Sequence, residues 1–121
     1  MIRSAYEVNL RSSAASTAAT EQYSSEVDVS NWDEGLVCFH TNAASGTSVT
    51  MTLKLYTKSV EDSRWFLHST LVSALDINAA TTTAVATAYG ITNIGKRIRV
   101  GSTLAGTNAN ATYDMQLILK A

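Results

Sequence analysis

Cys38 and His40 stand two residues apart, so on a strand they would share one face, and His68 is the remaining histidine. Zinc favours these donor types but takes about four ligands, or three and a water. The chain has one Cys and two His, so they read better as a small buried thiol and two strand-edge histidines. Asp28, Asp33 and Glu34 crowd one polar segment, and Glu61 and Asp62 another. Calcium needs about six to eight oxygen ligands, and neither segment has the alternating acidic spacing of a calcium loop. Carboxylates here keep turns hydrated and discourage edge pairing. A Ser, His and Asp set can be drawn from any Ser-rich chain, and the sequence has no nucleophile elbow, no HExxH and no phosphate loop. No enzyme activity, metal or cofactor is expected.

The remaining chemistry suits contact with other proteins. Lys96, Arg97 and Arg99 form the one basic cluster, and Arg97 and Arg99 alternate with Ile98 and Val100. Two guanidinium groups on one strand face can pair with an acidic partner surface. Arg3 and Arg11 place two more cations in the N-terminal segment. Trp32 falls among turn formers and could stack on a sugar, with Tyr56, Trp65, Phe66 and Tyr89 as further aromatics; such rings more often anchor a sandwich core. Arg3, Arg11, Trp32, Arg97 and Arg99 are therefore the candidate partner contacts. Asn110-Ala111-Thr112 matches a glycosylation sequon and reads as chance, because Met1-Ile2-Arg3-Ser4 does not open an apolar signal segment.

Composition narrows what positions these residues. The 121 residues suit one domain. Apolar residues make up 45%, but 17 of them are Ala, so the core must come from a minority of larger side chains. Charged residues are only 16%, below the usual ~25%. Val, Ile and Thr total 31, which favours strands. The net charge of −1 argues against nucleic acid as a partner, and the short apolar runs against a membrane-spanning helix. One Cys cannot close an internal disulfide.

Period-two patterning supplies the elements. Ala5 to Leu10 reads as a short strand, followed by the low-complexity connector 12–21; residues 1–22 thus form an arm. Tyr23, Ser25, Val27 and Val29 share one face of a next strand. Leu36 to His40 is apolar on both faces, 42–47 reads as a turn, and Val49, Met51, Leu53 and Leu55 alternate cleanly. A polar turn over 58–63 precedes Trp65 to His68. Residues 71–88 read equally as strand or short helix. Gly90 to Gly95 and 104–110 read as turns around Ile98 and Val100, and Ala111 to Leu119 alternates to the end. Seven or eight short strands with hairpin-like connections predict an all-β, antiparallel, jelly-roll-like sandwich over 23–121 with the 1–22 arm outside it.

The order of elements resembles a family of small phage-encoded β-sandwich virion proteins. The resemblance runs through Val27-Asp28-Val29-Ser30-Asn31-Trp32, Glu34-Gly35-Leu36-Val37, 44–53, Glu61-Asp62-Ser63-Arg64-Trp65-Phe66 and Ile94-Gly95-Lys96-Arg97-Ile98-Arg99-Val100, then Gly106 to Leu119. It covers residues 23–120, and it departs from the family in a loop before Trp65 without glycine and in a long 71–88 segment. The resemblance implies a capsid decoration, or cement, protein: made in the host cytoplasm, located on the virion surface, assembled as a homotrimer, and bound to the major capsid protein. An adhesive or carbohydrate-binding module of a tail or fibre, or a minor head–tail component, is the alternative. On this reading the arm lies along a neighbouring subunit, and its removal leaves the sandwich folded.

Overall fold

The computed structural model describes residues 5–17, 19–61, 63–81 and 83–120. Its strands are β1 (Ala5–Ser16), β2 (Gln22–Tyr23), β3 (Val27–Asp28), β4 (Glu34–Lys58), β5 (Trp65–Asp76), β6 (Val85–Thr92) and β7 (Arg97–Lys120). Among the described residues, helical structure is limited to the 3-10 turn Asn78–Thr81. The frame is one long antiparallel ribbon: β4 and β7 pair from Glu34 opposite Lys120 to Thr57 opposite Ile98. β6 and β5 lie on the free side of β4, against its first and second halves respectively. β1, β2 and β3 lie on the free side of β7.

The ribbon bends in its middle, where the β4–β7 register shifts between Thr41 and Ala43, Ser45 and Thr47, and Thr47 and Thr50. Bending turns one ribbon into two layers. One carries β1, the second half of β7, the first half of β4, and β6; the other carries β2 and β3, the first half of β7, the second half of β4, and β5. Counting each half of β4 and β7 as a strand, this is the two-layer order of a jelly roll. The all-β antiparallel sandwich is as the sequence pattern predicts.

Two glycines shape the corner. Gly46 has φ +117° and Gly106 φ +133°, and Ser48 and Asn108 are also left-handed at 54° and 52°. A Cβ at Gly46 would lie 2.7 Å from the Thr107 carbonyl oxygen, and one at Gly106 would lie 2.9 Å from that of Thr47. Each glycine therefore admits the other strand's backbone while supplying a backbone angle that L-residues resist. The corner also resets side-chain parity. Before it, β7 points even-numbered Ile98, Val100 and Leu104 inward; after it, odd-numbered Ala111, Tyr113, Met115, Leu117 and Leu119, all buried. Without that reset, half the apolar set would face solvent.

The layers close on Leu10, Val37, Phe39, Met51, Leu53, Leu55, Ile98, Met115, Leu117 and Leu119. Ser102 and Tyr113 put a polar link inside: their side-chain oxygens are 2.8 Å apart, one from each layer. Thr41, fully buried at the bend, donates its hydroxyl to the Thr112 carbonyl at 2.7 Å.

Several expectations need correction. The turns read over 42–47 and 104–110 are bends inside β4 and β7, because a turn signal cannot report whether the ladder continues through it. The strand read over 23–29 is two short pieces, β2 and β3, interrupted where Ser24 bonds to Val100 through both its N–H and its hydroxyl oxygen. Residues 71–88 divide into the end of β5, the 3-10 turn and β6. The N-terminal strand runs past Leu10 to Ser16, paired with β7 across a bulge at Arg11. Small Ser and Ala side chains suffice there because the β7 backbone supplies the partners.

Leu10 is 2% exposed, so β1 contributes to the core. Removing residues 1–22 should therefore destabilise the sandwich, and Leu10→Ala alone should cost about 2–4 kcal/mol in urea unfolding. Gly106→Ala should lose about 1–3 kcal/mol from its strained φ and the approach of Thr47; an unchanged melting temperature would show that the corner tolerates a Cβ.

Candidate protein interface

The outward face of the second layer collects side chains from four strands. β7 presents Arg97 and Arg99; β4 presents Tyr56, opposite Arg99; β2 contributes Tyr23, opposite Gly101; β5 contributes Trp65, opposite Lys58. The Arg99 guanidinium lies 3.8 Å from the centre of the Tyr23 ring and 4.3 Å from that of Trp65. A flat, weakly hydrated cation between two π faces is favourable. The Arg99 Nε is buried and has no hydrogen-bond partner among the described residues. Tyr56 and Tyr23 meet edge to face, with ring centres 5.8 Å apart.

Glu21 anchors the near side of this face. The Tyr56 hydroxyl is 2.8 Å from both Glu21 carboxylate oxygens and donates to them. Burial, with this bond and the carboxylate's charge, pushes the Tyr56 phenol up from 10.0 to about 12. The hydrogen bond to Glu21, helped by burial, also raises Tyr23. Gly101 makes room beneath: a Cβ there would meet the Glu21 carboxylate at 2.5 Å and the Tyr56 ring at 2.9 Å. At the far side, Glu26 accepts from Lys58 at 3.2 Å and Arg97 at 3.1 Å, and the Lys58 bond chiefly holds its carboxyl low. Beyond Lys58, a shallow groove of about 300 Å³ is lined by Asp28, Ser30, Lys58, Lys96 and Arg97, among others. The Ser30 hydroxyl and N–H both donate to Asp28 and lower its carboxyl.

The candidate contacts thus separate. Arg97 and Arg99 share this face, with Arg97 in an ion pair and Arg99 stacked. Arg11 lies elsewhere, 4.0 Å over the Tyr113 ring with its guanidinium donating to the Ala14 carbonyl, and so ties down the bulged edge strand. Trp32 stacks on Tyr6 at 5.9 Å and packs against the core. That leaves its ring half-covered rather than displayed on a loop. Arg3 lies outside the described residues. Cys38 and His40 face outward from the first layer, where Cys38 is opposite Ala88 and His40 lies 3.6 Å from Asp114. Burial pushes the Cys38 thiol up. His68 belongs to β5 in the other layer, where its Nε2 contacts the Asn93 carbonyl oxygen.

In the sequence Tyr56 and Trp65 stand only among other aromatics, and no local pattern singles out Glu21 or Tyr23. The available signal was the outward alternation Lys54, Tyr56, Lys58, which puts a ring among charges. Exposed large apolar side chains occur here, Tyr23 at 50% and Leu67 at 55%, with Phe66 and Val60 nearby, and also on β1 of the other layer, where Tyr6 is 56% exposed. Aromatic rings with Arg are the composition of interface centres.

Comparisons place the architecture among known proteins. No family model matches the chain, and no curated protein sequence does. Among solved structures, a chain of the infectious bursal disease virus Gt strain superposes with TM-score 0.70 over 98% of this chain, at 9% identity. The VP2 subviral particle of that virus gives 0.71 over 98%, at 8% identity. In both cases this chain spans about a third of the viral chain, 33% and 32%. The SPBc2 prophage-derived protein YomS matches over 100% of this chain and 96% of its own, with TM-score 0.53 and 14% identity. These likenesses establish a shared fold.

The raised phenol gives the face a pH signature. A phenol raised in the folded state adds stability that is full below its ordinary value and is lost as pH rises through the folded value. Chemical-denaturation midpoints should therefore fall as pH climbs from 10.0 towards about 12. Tyr56→Phe should shrink that fall, and a profile identical to the parent's would refute a raised Tyr56 phenol.

Proposed function

We propose that this chain is a non-enzymatic structural protein of a phage virion, decorating and stabilising the capsid shell as a homotrimer bound to the major capsid protein. The observation that carries this reading is the fold: nearly all of this chain superposes on a third of a viral subviral-particle protein and on 96% of a prophage-derived protein's chain. The outward face of the second layer suits docking. Its rings and stacked guanidinium offer contact area with few mobile side chains to immobilise. Lys96, with Arg97 and Lys58 sharing the single carboxylate of Glu26, leaves its edge net positive and suited to an acidic shell surface. Load-bearing between shell subunits requires a rigid slab, and the continuous β4–β7 ribbon, with a core closed from both sides, supplies one.

Co-sedimentation with shells of the parent virion tests this. The purified chain should pellet with shells depleted of it. Binding should weaken as salt rises from about 0.1 to 1 M, where the screening length falls from ~10 to ~3 Å. Arg99→Ala should weaken it about tenfold or more if the stacked guanidinium is a contact centre. A chain that stays monomeric and never pellets with shells at high concentration would overturn the reading.

A further inference from the structure

A guanidinium carries more N–H donors than any other side chain, and a donor taken from water without an acceptor is costly. The arginines of this chain meet that demand differently. Arg97 donates to Glu26 at 3.1 Å. Arg11, stacked 4.0 Å over the Tyr113 ring, donates to the Ala14 carbonyl at 3.0 Å. Arg99 is stacked as closely, 3.8 Å from the Tyr23 ring centre and 4.3 Å from that of Trp65. Yet no hydrogen bond or ion pair joins its guanidinium to an acceptor among the described residues. Glu21, the carboxylate of this cluster, takes the Tyr56 hydroxyl on both oxygens and makes no ion pair with Arg99. The Arg99 Nε is buried, so the fork presents its far end, the two Nη groups.

We propose that Arg99 is a carboxylate receptor: the end of its fork takes an Asp or Glu side chain of the docking partner through two parallel hydrogen bonds. The rings select the ligand. Tyr23 and Trp65 lie against the guanidinium and leave its donors directed outward in its own plane, which a flat carboxylate matches bidentately. A dianion such as phosphate is disfavoured, because Glu21 places a fixed negative charge in the same cluster. The fork is also held ready. Glu21 fixes Tyr56, and Tyr56 meets Tyr23 edge to face, so the ring against Arg99 is itself braced. Lys58 lies 5.6 Å from the Trp65 ring centre and adds a second cation beside the same indole. The partner's identity rests on the docking role proposed above, whereas the receptor itself needs no shell.

The test uses the isotope-labelled full chain and two short peptides, acetyl-Gly-Glu-Gly-amide and its Gln counterpart, at fixed ionic strength. The Glu peptide should shift the Arg99 Nε–H and Trp65 indole N–H resonances saturably, and the Gln peptide should bind at least about tenfold more weakly. Arg99→Lys keeps the charge but loses the fork, so its Trp65 response should weaken about tenfold with the rest of the spectrum unchanged. Equal responses of the parent chain to the two peptides would overturn the proposal, whatever the variant does. So would tighter binding of inorganic phosphate or of glucuronate, which would make the ligand a phosphate or an acidic sugar. Co-sedimentation separates the two readings. A chain that answers the Glu peptide but never pellets with shells keeps the receptor and loses the capsid role. One that pellets with shells but ignores the peptide loses the receptor alone.

Discussion

The structure depends on the continuous pairing of β4 with β7 through a bend. A ladder running from Glu34–Lys120 to Thr57–Ile98 pairs 20 residues of β4 with 20 of β7, and its bend turns a flat ribbon into two facing layers. That bend concentrates cost: backbone in the left-handed region at Gly46, Ser48, Gly106 and Asn108, and close backbone approach across the corner. Burial of Val49, Leu104, Ala111 and their neighbours on either side offsets it. Because bulges at the corner restore inward parity, one contiguous core forms instead of two weakly apolar faces.

Where the ribbon places each face governs what the molecule can contact. The inward side takes the aliphatic residues, so the outward side of the second layer is free to carry Tyr23, Tyr56, Trp65 and Arg99. Those side chains come from β2, β4, β5 and β7, and Glu21 fixes their arrangement from the segment just before β2. Interlocked rings and a stacked guanidinium form a surface largely organised in advance, which lowers the entropy cost of docking. The flanks also differ in composition: charges lie on β1 and around β2 and β3, whereas residues 65–75 of β5 and all of β6 carry none.

The fold's class was legible because alternation is a local property. Val49, Met51, Leu53 and Leu55 declare an inward face whatever they pack against, as do Met115, Leu117 and Leu119. The basic pair Arg97 and Arg99 was readable for the same reason: two residues apart on a strand means one face. The ends of strands were less readable. Ala14, Ala15 and Ser16 carry no large apolar side chain, and they are strand because β7 offers them partners in Tyr113, Thr112 and Ala111.

What the sequence alone determined, then, is that the chain makes antiparallel strands, which side chains go inside, and that its charges are few. Tertiary structure alone decided that Gly46 and Gly106 bend two long strands instead of ending four short ones, since each glycine's role depends on backbone 60 residues away. It also decided that Arg99 meets Tyr23 and Trp65, and that the uncharged edges share one flank. The physical reason is common to all three. Hydrogen bonds between strands and contacts across a sheet face join residues far apart in the chain, and no local pattern of residue types encodes which distant backbone will be the neighbour.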